Sequence, residues 1–209
     1  MKNFVIIGHK AVTIPFSLND LAGAAGRMDI LCRCVNATLF LSHDLRRDVC
    51  VYLLLKGEPA PPKLIRFEGS KVRYLNPDER SAASLIRKAL EKNSQGFWSE
   101  STPGVSVRKG DLKDLLAELD KKIIYLREDG NDIRGKKFDK SGDDLIFLLG
   151  DHMGLTSDEE SIIEECEHDI VGVGPLSLHA DHCIVLLHNE MDRAKVSAAQ
   201  GKNALYPHK

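Results

Sequence analysis

The amino-acid sequence predicts an α/β fold with a mostly parallel central sheet. Three observations carry that prediction. Short continuous apolar runs such as Val49–Leu55 (VCVYLLL) have the pattern of strands covered on both faces. These runs alternate with helix-like segments, and such alternation places helices on both faces of a parallel sheet. The 209 residues, 43% hydrophobic and 29% charged, suffice for one core without disulfides or metals.

Taken in order, Phe4–Gly8 is a short apolar strand and Arg27–Ser42 a buried helix. Val49–Leu55 is a strand. Leu64–Phe67 and Val72–Tyr74 flank Glu68-Gly69-Ser70-Lys71, which reads as a hairpin turn. A helix follows to about Lys92, with Asn76 as cap, Pro77 in the first position and Glu79 completing a capping box. Asp111–Lys121 is a helix, Ile123–Leu126 a strand and Lys136–Gly142 a polar loop. Leu145–Leu149 is a strand ended by Gly150, Ser157–Glu167 a helix with an acidic first turn, and Ile170–Val173 a strand. His182–Arg193 is a last amphipathic helix, and 196–209 reads as a weakly ordered tail. One domain over 1–195 is expected.

Charge is unevenly spread. Residues 1–110 hold 17 basic and 10 acidic side chains, a balance of +7, and the remainder is at −9. The basic part can meet phosphates. No run of about 18 apolar residues exists to span a membrane, and the N-terminus is too short and strand-like for a signal peptide. The odd cysteine count of five reads as reduced thiols, so a cytoplasmic protein is expected.

Parallel sheets bind ligands beyond the carboxyl ends of their strands. Three such ends stand out: Leu126, Gly150-Asp151-His152 and Val173-Gly174-Pro175-Leu176. The glycines let a ligand approach the backbone, or simply make tight turns. No G-x-x-x-x-G-K-[ST] or G-x-G-x-x-G motif occurs, so neither a P-loop nor a Rossmann dinucleotide site is indicated. His179-x-x-His182-Cys183 raises a zinc alternative. Only one cysteine takes part and no C-x-x-C pair supports it, so no metal is expected.

Several ordered blocks together carry a family resemblance. FLLGDHMG (Phe147–Gly154), GPLSLHADHCIVLLHNEMDR (Gly174–Arg193), GRMDILCRCVNATLFLSHDLRRDV (Gly26–Val49) and NPDERSAASLIRKAL (Asn76–Leu90) resemble the TrmY family. These are archaeal tRNA pseudouridine-54 N1-methyltransferases of the SPOUT class. The resemblance implies a SPOUT-type fold with a C-terminal trefoil knot, which physical reasoning alone argues against because knots are very rare. It implies a homodimer that methylates T-loop pseudouridine using S-adenosylmethionine. The cofactor-binding part is then about 120–195, with contacts at Leu126, Gly150, Val173, Gly174, Pro175, Leu176, Ser177, Leu178 and Cys183.

Pseudouridine N1 carries a weakly acidic proton, so transfer of a methyl group there needs an acceptor. Asp29, in Gly26-Arg27-Met28-Asp29, is the catalytic candidate because related ribosomal pseudouridine methyltransferases carry a similar Arg-x-Asp element. Its other reading is a helix cap or a partner of Arg27 or Arg33. Arg27, Arg33, Arg46 and Arg47 are candidates for tRNA phosphates, since the planar guanidinium donates two bonds at once. Surface pairing of Arg46-Arg47 with Asp44 and Asp48 is the alternative. Phe40, Tyr74 and Trp98 are candidates for stacking on bases. Two functional rivals stay open: methylation of another RNA site such as ribosomal pseudouridine, and a non-catalytic RNA- or metal-binding module.

Overall fold

The computed structural model describes residues 1–136 and 145–200, the last four of these by backbone only. In chain order the elements are β1 (Lys2–Gly8), α1 (Met28–Leu39), β2 (Val49–Leu55), β3 (Lys63–Glu68), α2 (Glu79–Leu90), β4 (Ser99–Thr102), β5 (Val105–Lys109), α3 (Leu112–Leu119), β6 (Lys122–Asp132), β7 (Leu145–Gly150), α4 (Ser157–Glu164), β8 (His168–Gly172) and α5 (Ala180–Gln200). A short 3-10 turn, Ile133–Gly135, follows β6.

One eight-stranded sheet runs β4-β5-β3-β2-β1-β7-β6-β8. The five strands β2, β1, β7, β6 and β8 pair in parallel. The wing of β3, β5 and β4 is antiparallel. The largely apolar strands in the centre are covered on both sides. Phe4 and Ile6 join α1, α2 and α5 in one core layer. Val5 and Ile7 join α3 and α4 in the other. This is the two-faced burial that a period of two demands.

Three expectations are corrected. The hairpin does not form, because both edges of β3 are already taken by β2 and β5, leaving Val72–Tyr74 outside the sheet. The strands β4 and β5 were not foreseen. The sequence Ser99–Thr102 is polar throughout and gives no apolar signal. The cap of α2 is Asp78, not Asn76: its carboxylate accepts from Ser81 N–H at 2.7 Å. Glu79 turns away to meet Arg33 at 3.2 Å. The last helix begins at Ala180 and continues to Gln200, so the segment from 196 starts as helix. Most of the Lys136–Gly142 loop and all of 201–209 lie outside the described residues.

A buried histidine sets an acid limit on this fold. His188 of α5 is 3% exposed, stacks on Phe4 at 4.8 Å, and neither ring nitrogen has a hydrogen-bond partner. Burial, helped by the nearby Arg46 charge, pushes its pKa down to about 3. The unfolded chain takes up the proton near pH 6.5, so stability is full above that value and falls as pH drops toward 3. About 2 kcal/mol is expected to be lost between pH 7.5 and 5 from this group. Urea denaturation at the two pH values checks this, and His188→Leu removes that part of the slope.

Candidate active site

The parallel strands bring their carboxyl ends to one edge, so residues distant in sequence converge. β7 ends on Gly150, where an added Cβ would lie 2.2 Å from the Gly154 carbonyl oxygen. Only glycine allows the turn to fold back that closely. Asp151 closes the turn: its backbone N–H donates to the Ile7 carbonyl at 2.9 Å, and its carboxylate accepts from Met153 N–H at 2.9 Å. The same carboxylate accepts from His9 N–H at 2.9 Å, just past the end of β1.

Beneath this turn lies a buried charged network. The His9 ring bridges Asp151 (Nδ1, 3.2 Å) and Glu159 of α4 (Nε2, 2.9 Å). Lys56, just past β2, reaches the other Glu159 oxygen at 2.5 Å, and Thr156 N–H donates to Glu159 at 2.8 Å. Burial alone would raise the Glu159 pKa. Lys56, the Thr156 N–H and His9 outweigh it and hold the carboxyl at about 2. Four strand or helix ends are thereby tied together under one turn.

Above it opens a cleft of about 1040 Å³. Leu126, Gly150, Val173, Gly174, Leu176, Ser177, Leu178 and Cys183 all line it, and of the nine expected contacts only Pro175 does not. β6 is irregular here. Leu126 and Asn131 both register against Val171, so 127–130 form a bulge within the strand. Gly130 packs on the Val171 backbone, where a Cβ would come within 2.5 Å. The bulge carries Glu128, which accepts a hydrogen bond from Ser177 across the cleft. The Cys183 thiol has its pKa raised by burial and by Asp181, so it stays neutral at pH 7.

The N-terminus of α1 closes one side. Gly26 and Arg27 both adopt the left-handed conformation (φ 66° and 64°), and the Lys10 carbonyl leaves no room for a Cβ on Gly26. Arg27 and Arg33 line the cleft. Asp29, largely buried, is not among the lining residues. Both its oxygens are occupied, by Arg27 Nε and Nη2 at 3.1 Å and by Arg33 Nη1 at 3.1 Å. Burial opposes ionisation, but the two guanidiniums prevail and hold its pKa below the usual carboxylate range. Arg46 and Arg47 do not line the cleft. Arg46 forms a two-pronged pair with Asp192 of α5 (2.6 and 3.1 Å), and Arg47 meets Asp44 at 3.3 Å.

Sequence reasoning passed over His9, Lys56, Glu128, Glu159 and Asp181. Asp181 lines the cleft at the start of α5, and its buried Oδ1 accepts no hydrogen bond, with Arg33 Nε 3.9 Å away. His9 carried a usable signal: a polar residue directly after an apolar strand ending in glycine. The His179 and His182 rings stack at 5.3 Å. Among the described residues no three His, Cys, Asp or Glu side chains are grouped to hold a metal ion. No described helix is long and apolar enough to cross a membrane.

Comparison with known proteins places this geometry. Residues 1–196 match a family described as "Putative SAM-dependent RNA methyltransferase". The tRNA (pseudouridine(54)-N(1))-methyltransferase of Methanococcoides burtonii is 59% identical over 197 residues, covering 92% of this chain and 96% of that protein. The protein of the same name from Methanocella arvoryzae is 53% identical over 196 residues, covering 92% and 100%. Among solved structures, Archaeoglobus fulgidus Nep1 bound to S-adenosylhomocysteine superposes with a TM-score of 0.64 at 16% identity. It covers 93% of this chain and 99% of that one, which shows a shared fold.

Proposed function

The chain belongs to this family of SAM-dependent RNA methyltransferases, and from that premise we propose that it transfers a methyl group from S-adenosylmethionine to N1 of pseudouridine 54 in tRNA. The observation that carries the proposal is the cleft. Eight of the nine cofactor residues expected from the TrmY-like blocks converge on it.

The lining fits the cofactor chemically. Leu126, Leu149, Val173 and Leu178 offer apolar walls for an adenosine, and Glu128 offers negative charge to a sulfonium and an amino group. When bound, the cofactor supplies an electrophilic methyl carbon. The protein's part is alignment and removal of the N1 proton. Asp29 serves by orienting Arg27 and Arg33, since both its oxygens are already engaged. Arg27 and Arg33 face the cleft and suit the substrate's phosphate or base edge. The Asp181 Oδ1 at the cleft accepts no hydrogen bond, with Arg33 Nε 3.9 Å away, and we assign Asp181 the acceptor role.

Single-turnover assays separate these roles. Asp181→Asn is expected to lower the methylation rate by about 10²-fold or more with SAM affinity retained. Asp29→Asn is expected to act chiefly on tRNA affinity. A wild-type rate in Asp181→Asn would remove it from the chemistry. The function itself is tested by mass spectrometry of T-loop nucleosides after incubation with pseudouridylated tRNA. Equal methylation of tRNA carrying uridine there would sink the pseudouridine assignment, and no SAM binding in a calorimeter would sink the enzyme.

The proposal extends to architecture. One sheet unites the basic and cofactor-binding parts, which supports a single domain over 1–195. The family resemblance, together with the fold shared with Nep1, supports a C-terminal trefoil knot. The exposed Val185 and Leu186 on α5 support a homodimer. Five unpaired cysteines suit the cytoplasm.

A further inference from the structure

Tyr74 combines two features that folding alone does not explain. Its side chain belongs to a residue that is 75% exposed, and its backbone sits at φ +65°. A bulky L residue is strained in that left-handed region, whereas glycine occupies it without strain. Strain kept at an exposed position points to a use for the side chain. The segment is held from both sides. Val72 and Leu75 are buried on either flank, and Ser81 Oγ donates to the Tyr74 carbonyl at 3.4 Å while accepting from Asn76 N–H at 2.8 Å. Among the described residues the ring itself touches no other aromatic or cation, and its hydroxyl bonds to nothing.

The surroundings are cationic. Arg73 is exposed and has no ion pair among the described residues. Arg80 is exposed and donates only to neutral oxygens, the Leu18 carbonyl and Asn19 Oδ1, both at 3.4 Å. Of the nearby carboxylates, Glu79 is engaged by Arg33 at 3.2 Å, while Asp78 caps α2 by accepting from Ser81 N–H at 2.7 Å and keeps its charge. Arg33 lines the cleft, so the first turn of α2 joins this patch to the cleft.

We propose that Tyr74 is a stacking platform for a base of the tRNA substrate, with Arg73 and Arg80 holding the adjoining phosphates. The inference rests on the RNA-methylating reading above. An exposed ring with two exposed guanidiniums one and six positions away in the chain, neither in an ion pair among the described residues, matches a π-face beside a charged backbone.

The test measures binding of full-length tRNA at fixed salt by the complete protein, together with SAM affinity and Tm. Tyr74→Ala and Tyr74→Gly are expected to weaken tRNA binding by about 5–100-fold, and Tyr74→Phe to retain it. SAM affinity stays unchanged. Tyr74→Gly also relieves the strain, so its Tm rises by roughly 2–4 °C while its tRNA affinity falls, a divergence no structural role produces. Arg73→Gln lowers the salt dependence of binding by about one ion. Wild-type tRNA affinity in both the Ala and Gly variants would overturn the proposal, as would affinity lost only together with Tm and SAM binding. A wild-type protein that binds no tRNA would overturn the methyltransferase reading along with it.

Discussion

Glu159→Ala is expected to be among the most destabilising single substitutions in this protein, at about 3 kcal/mol. The carboxylate is 3% exposed and holds Lys56, His9 and the Thr156 N–H at once. Its removal leaves a lysine and a ring nitrogen without their acceptor at the base of the cleft. Breaking a buried ion pair costs roughly 3–5 kcal/mol, and the lower end applies because the Lys56 side chain is 35% exposed and water can reach it. Against a total of about 5–15 kcal/mol, that loss is large. Glu159→Gln keeps the shape and is expected to cost about half as much. The wild type should show a matching pH signature. The folded pKa lies below the unfolded 4.5, so this stabilisation is present above pH 4.5 and disappears as pH falls toward 2. That window lies below most of the His188 window, so urea titrations of Glu159→Gln and His188→Leu from pH 7.5 to 3 separate the two. An unchanged stability of Glu159→Ala at pH 7 would show that the network adds nothing net.

Gly150→Ala is expected to weaken SAM binding by roughly 5–150-fold while the protein stays folded. The added methyl would lie 2.2 Å from the Gly154 carbonyl oxygen, which is backbone and cannot swing aside. The turn Asp151–Gly154 must therefore move, at a cost of about 1–3 kcal/mol. This turn lines the cleft, so the cost falls on the ligand site. Calorimetric titration with SAM, beside a thermal melt, reads both effects. Wild-type affinity would mean that the turn shifts without consequence for the site. Gly96 supplies the control, since nothing lies within 4 Å of an added Cβ there.

The parallel centre of the sheet was legible because β2, β7 and the Phe4–Gly8 part of β1 are short, apolar and bounded by turn residues. Two-sided burial leaves just that mark. The outer strands of the antiparallel wing, β4 and β5, were not. β4 is polar on an edge, and an edge strand needs no apolar pattern. The cap of α2 was misplaced by two residues because Asn-Pro-Asp-Glu offers two good capping side chains, and local pattern cannot rank them. The expected cofactor contacts came from strand ends and family-like blocks together, since strand ends alone also allow glycines that merely turn the chain, and eight of the nine line one cleft.

The roles of the charged residues depended on pairing at long range. Arg46 looked available beside Asp44 and Asp48, yet its partner is Asp192, 146 positions away. For Asp29 the sequence left a catalytic acceptor and a partner of Arg27 or Arg33 both open, and in the fold two arginines fill both its oxygens. His9 and Glu159 showed nothing in isolation and meet only because parallel strands end at the same edge.

The sequence by itself determined the α/β class, the parallel core and the convergence of strand-end residues between Gly150 and Cys183 on one cleft, because burial periodicity and glycine placement are local. The tertiary structure alone decided which charges are spent and which remain available to a substrate. Coulomb pairing depends on distance in space, and the chain sets that distance only after it has folded.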